Sequence, residues 1–236
     1  MDAETRFREA EQIQAESQPD YPLLYSLQGF QYCDLLLAEA ERAAWGVGIA
    51  DRGLRSADLL AACRAVSQRA AQTLQWEQGR LLDIALDHLT LGRAALYAAI
   101  LEQSAIRNPQ SAIESAVSGL RRAGAVEFLV RGLLTRAWLR SLTGARTGPE
   151  SAQSDLDEAW EIAARGPMKL HLADIHLYRA RLFGLRNADF GVRNEESAYP
   201  WESPQADLAA AERLINSCGY HRRDEELADA KRALLG

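Results

Sequence analysis

"GRAALY" (Gly92–Tyr97), "TRAWLR" (Thr135–Arg140) and "YRARLF" (Tyr178–Phe183) each contain Arg-Ala-x-Leu, and Arg93, Arg136 and Arg179 lie 43 residues apart. A glycine precedes each arginine by 12 to 14 residues: Gly79, Gly124 and Gly166. Gly219, ahead of Arg232, makes a fourth copy, but Arg232 comes 53 residues after Arg179. Each glycine ends a helix-like run: "AAQTLQWEQG", "AVSGLRRAG", "EAWEIAARG", "ERLINSCG". Glycine just beyond a helix is the usual left-handed cap, because it has no Cβ to clash there. The pattern therefore predicts helix pairs joined by tight glycine turns. A period of this size marks a solenoid, in which no unit buries its apolar face alone.

Helices are expected over 3–17, 22–43, 54–77, 80–104, 110–122, 126–142, 150–164, 168–183, 205–217 and 221–234. No alternating strand pattern interrupts them, and good helix formers dominate. The fold class is all-α. The expected arrangement is one helical-repeat domain over residues 1–236, with a long inserted loop at 184–204. In that loop Tyr199 and Trp201 either anchor it to the solenoid or form a wedge offered to a partner.

Composition narrows the function. A formal charge of −6 lacks the basic footprint of a nucleic-acid binder. No unbroken apolar run reaches the roughly 18 residues of a membrane span. The polar N-terminus is not a secretory signal, which points to a cytoplasmic protein. Cys33, Cys63 and Cys218 form no CxxC and read as reduced packing thiols.

Small residues at Gly29, Gly92, Ala137 and Ala180 on tandem helix pairs resemble tetratricopeptide repeats of an elongated kind. The stretches "FREAEQIQAESQPDYPLLYSLQGFQYCDLLL", "DLDEAWEIAARGPMKLHLADIHLYRARLF" and "YPWESPQADLAAAERLINSCGYHRRDEELADAK" resemble the C-terminal repeat region of large bacterial proteins. Some of those are STAND-type signalling NTPases. The resemblance implies a right-handed superhelix whose first helices line a concave, partner-binding face. No GxxxxGK[ST] is present, so NTPase activity does not carry over. The 43-residue period departs from the usual 34, and a HEAT-like stack is the other architecture compatible with it.

On a helical wheel of about 100° per residue, each repeated arginine rises from an apolar stripe. Leu86, Leu89, Leu96, Tyr97 and Ile100 flank Arg93; Leu129, Leu133 and Leu139 flank Arg136. Leu172, Ile175, Leu182 and Phe183 flank Arg179. A guanidinium in that position must be paired or reach out along its stem. One reading is a structural ladder, with acids such as Glu114, Asp155 or Asp207 as partners. The other is a basic concave groove formed by Arg136, Arg140, His171, His176, Arg179 and Arg181, backed by the acidic segment from Pro149 to Arg165. Such a groove suits a partner protein, an acidic peptide, or another domain of a parent chain, gripped through arginine forks. A sensor groove for a small anionic ligand is the alternative.

No enzyme signature emerges. "HLADIH" spaces His171 and His176 five apart, off the i, i+4 face of zinc helices, so no metal is expected. Paired carboxylates such as Asp83 with Asp87 have nothing to push their pKa values apart. No nucleophile elbow or dinucleotide loop is present, and neither a cofactor nor a catalytic residue is expected.

Overall fold

The computed structural model describes residues 2–46, 53–76, 79–104, 109–184 and 199–235. Among these residues all regular structure is helical. The chain divides into two compact units, 2–125 and 126–235 of the described residues.

The first unit contains α1 (Ala3–Ser17), α2 (Ser26–Leu36), α3 (Ala38–Trp45), α4 (Gly53–Trp76), α5 (Leu81–Leu101) and α6 (Pro109–Ala123). The start of α1 is set by Asp2, whose side chain accepts from the Thr5 N–H at 2.8 Å. The single helix expected over 22–43 is instead two. Glu11 takes the Leu24 N–H at 2.8 Å, which holds the chain extended before Ser26. Ser26 then donates to Asp83 at 2.6 Å. A turn at the fully buried Leu37 separates α2 from α3.

α5 is the centre of this unit and packs on α2, α3, α4 and α6. By length and composition it is also the one described helix apolar enough to cross a membrane. Its neighbours cover that apolar surface: Leu86, Leu89 and Leu96 are almost fully buried, each worth about 1.5–3 kcal/mol. Gly92 lets α6 approach closely, since a Cβ there would lie 2.5 Å from Cγ1 of Ile113.

Among its described residues the second unit contains α7 (Val126–Leu142), α8 (Ala152–Arg165), α9 (Lys169–Gly184), α10 (Pro204–Cys218), a 3-10 turn (His221–Arg223) and α11 (Asp224–Leu235). Ser151 and Ser154 cap α8 reciprocally. Ser203 caps α10 ahead of Pro204, whose missing N–H is harmless at a first helical position. α9 packs on α7, α8, α10 and α11. Ala173, Leu177 and Ala180 of α9 form one core with Leu208, Ala211 and Ile215 of α10 and Leu227 and Ala230 of α11.

Three of the four expected glycine caps are left-handed: Gly79 (φ 90°), Gly124 (φ 67°) and Gly219 (φ 64°). Gly166 is not. Its φ is −91°, within reach of any residue, so α8 ends there without needing glycine. Of the expected loop at 184–204, residues 185–198 lie outside the described residues, as does most of "GVGIADRG" after Gly46.

Candidate functional site

The repeated arginines reach three different solutions. In the first unit Arg93, 6% exposed, donates from Nη2 to Glu41 at 2.9 Å and pairs with Asp34 at 2.8 Å. Its Nε–H donates to the Tyr97 hydroxyl at 3.1 Å. The expected partner Glu114 is not the one used. Burial alone would depress the Arg93 pKa, but Tyr97, Asp34 and Glu41 together hold it well above the usual arginine value. One guanidinium thereby joins α2 and α3 to α5.

In the second unit Arg136 forks onto Asp155, from Nε to Oδ2 at 3.1 Å and from Nη2 to Oδ1 at 2.7 Å. Arg140 meets the same carboxylate at 3.0 Å and the Ser151 carbonyl at 3.4 Å. Asp155 is 1% exposed, so two cations of α7 converge on one buried acid of α8. For Arg136 the ladder partner anticipated from the sequence is the one present.

Arg181 is equally internal. It donates to the Glu226 carbonyl at 2.7 Å and pairs with that carboxylate at 3.2 Å. Arg223 bridges Glu226 to Asp174, which lies 2.8 Å from its Nε, and Tyr220 donates to Asp174 at 3.3 Å. This network fastens the 3-10 turn and α11 to α9. Burial lowers the Arg181 pKa, and Glu226 opposes that. Arg136 and Arg181 are therefore buried ion-pair members, not an exposed basic row. Arg232, the fourth copy of the motif, is exposed and pairs locally with Asp229. The buried cation of that region is Arg223, 44 residues after Arg179 and hidden in the charged run "HRRDEE".

Arg179 differs from Arg93 and Arg136. Its side chain is 8% exposed, yet its hydrogen bond to Asp157 is long, 3.4 Å from Nη2, and Asp157 is 44% exposed. Its Nε–H finds no acceptor among the described residues. The guanidinium instead lies 4.4 Å from the Trp201 ring centroid and 5.8 Å from that of Trp160. Burial lowers its pKa, with Asp207 and Asp157 opposing.

Tyr199 and Trp201 are both folded back. Trp201 donates from Nε1 to Asp157 at 2.8 Å and stands edge-on to Phe183, 5.1 Å between centroids. Tyr199 lies 5.5 Å from Trp201 and donates its hydroxyl to Asp207, whose other oxygen holds His176 Nδ1 at 2.5 Å. Burial and Asp207 push the Tyr199 pKa far up, so the hydroxyl keeps its proton and can donate. Arg146 stacks over Phe183 at 4.9 Å and donates to the Leu182 carbonyl at 2.8 Å. The result is a half-open aromatic site on α8, α9 and α10. Trp160, 41% exposed, lies at its open edge.

The histidines do not converge. His171 is half-buried, and its Nδ1 has no partner among the described residues, while His176 turns to Asp207. No group of three His, Cys, Asp or Glu side chains gathers as metal ligands among the described residues. The thiols are free; burial raises Cys33 to about 12 and Cys63 to about 11, which leaves neither a nucleophile at neutral pH.

No protein-family model, no curated protein and no solved structure matches the chain.

Proposed function

We propose that this chain is a non-catalytic helical-repeat scaffold, a right-handed superhelix of tetratricopeptide-like kind, that receives a partner protein on the α8–α9 face around Trp160. The observation that carries this is Trp160 itself. It is a large aromatic ring, 41% exposed, whose centroid lies 5.8 Å from the buried Arg179 guanidinium that Trp201 also meets. Tryptophan and arginine are enriched among the residues that carry most of the binding energy at protein interfaces.

Serial helix pairs and the 43-residue spacing support the repeat reading. The cations that an acidic peptide would need argue for a different surface chemistry. Arg136, Arg140 and Arg181 already direct donors to Asp155, Ser151 and Glu226. Aromatic rings and carboxylates, rather than a row of free guanidinium groups, characterise the proposed face. Three free thiols accord with a reducing, cytoplasmic setting. In a longer signalling protein, another part of the parent chain would occupy the same face.

The test places a photo-crosslinking amino acid at position 160 of the whole chain and identifies the captured protein, whose affinity is then measured with purified components. Trp160→Ala should weaken that affinity at least about tenfold with an unchanged melting temperature. Equal affinity of the variant and the native chain would sink the assignment of this face.

A further inference from the structure

We propose that Tyr199-Pro200-Trp201 is an internal ligand, seated in a groove of α8, α9 and α10 that accepts in its place a partner segment carrying two donor-bearing aromatic side chains two residues apart. This rests on the scaffold reading and names the chemistry of its partner.

The groove recognises donors. Its two acceptors are Asp157 of α8, which takes the Trp201 N–H at 2.8 Å, and Asp207 of α10, which takes the Tyr199 O–H. Between them Arg179 offers its face to an aromatic ring at 4.4 Å, and Phe183 offers an edge-on contact at 5.1 Å. Tryptophan or tyrosine satisfies both requirements. Phenylalanine has no donor, and an acidic side chain would meet two carboxylates.

The seated segment is also exchangeable, because both of its acceptors are shared with side chains of α9. Trp201 shares Asp157 with Arg179, and Tyr199 shares Asp207 with His176. The consequence is visible at Arg179. Arg136 forks onto its acid at 2.7 and 3.1 Å, whereas Arg179 keeps a single 3.4 Å bond and a buried Nε–H without an acceptor among the described residues. An unmet buried donor is a destabilising feature of the seated state. Lifting the segment frees Asp157 to close on Arg179 as Asp155 closes on Arg136. Two arrangements of the same groups thus compete, and an external segment can shift the balance between them.

The probe is a fluorescein-labelled peptide of sequence SAYPWESP, residues 197–204, added to the whole chain. A Tyr199→Ala/Trp201→Ala variant, its seat emptied, should bind the peptide at least about tenfold more tightly than the native chain. Adding Asp157→Ala, or replacing both aromatic residues of the peptide with Phe, should abolish binding. Equal binding to native and variant chains, or none to a variant whose helical circular dichroism is intact, overturns the proposal. If the variant does not fold, the native chain decides: excess peptide should shift the Trp201 indole N–H resonance, and an unmoved resonance overturns the proposal. Concentration-dependent dimers of the native chain that the peptide does not dissolve would show that a second copy fills the groove, again overturning it. None of these outcomes depends on crosslinking at position 160, so the two readings fail separately.

Discussion

The Arg136 guanidinium and the Asp155 carboxylate meet as a two-bond fork inside the second unit, with Asp155 1% exposed. The pair converts a repeated sequence motif into a fixed α7–α8 contact. Arg136→Met should cost about 3 kcal/mol, because Asp155 keeps its burial and loses its main partner. Arg140 remains beside it, so the loss should not exceed that figure. Asp155→Leu added to Arg136→Met should recover only part of the stability, since Arg140 then loses the same carboxylate. Arg136→Lys should not restore it, since an ammonium cannot fork. Urea denaturation of the four chains checks this.

The Arg181–Glu226–Arg223–Asp174 network makes a separate prediction about the end of the chain. Glu226→Gln removes the charge that faces two buried arginines. A loss of about 3 kcal/mol is expected. Hydrogen exchange should accelerate first in α11, whose attachment to α9 depends on this carboxylate. Exchange that rises uniformly through the second unit would contradict a local fastening.

Stability should fall in mild acid. Burial depresses the His171 pKa, partly offset by Asp174, while Arg131 and Arg223 add to the depression and Glu127 opposes it. His88 is depressed by burial as well. The native state therefore resists protonation that the unfolded chain accepts near pH 6.5. The contribution is fully present above about pH 6.5 and is lost as pH falls toward the lowered native value. Urea midpoints at pH 7.5 and pH 5 measure it, and His171→Gln should flatten part of the slope.

The two glycine turns should separate. Gly124→Val forces a β-branched residue to φ 67° and should cost more than about 1 kcal/mol. Gly166→Val demands no such conformation, and the nearest atoms to its added Cβ belong to the flexible Met168 side chain, at 2.9 Å. Its thermal midpoint should move less. Equal shifts would mean that the handedness of the turn is not what these glycines provide.

Helix positions were legible because caps and periodicity are local: α1, α7 and α10 fall within a residue of their expected bounds. The late start of α2 at Ser26 was not, since the Leu24–Glu11 bond that displaces it comes from another element. The site divides in the same way. That each arginine needs a partner follows from its apolar surroundings, but which partner is a matter of tertiary structure. Arg93 reaches back 52 residues to Glu41, and Arg179 meets Asp157 on the preceding helix instead of Asp207 on the following one. Arg223 escaped because a charged run reads as solvated surface. Only the near-period of 44 residues from Arg179 marked it.

The central claim is that one sequence motif serves two roles, closed ion pair at Arg93 and Arg136 and aromatic platform at Arg179. The unfolding free energies of the single Arg93→Met, Arg136→Met and Arg179→Met chains test it most directly. Arg93→Met should lose the most, about 3–5 kcal/mol, because Asp34 and Glu41 are both stranded. Arg136→Met should follow, and Arg179→Met should lose least, since its acid is 44% exposed and already bonded to Trp201. Equal losses at all three positions, or native stability in Arg93→Met, would contradict the account.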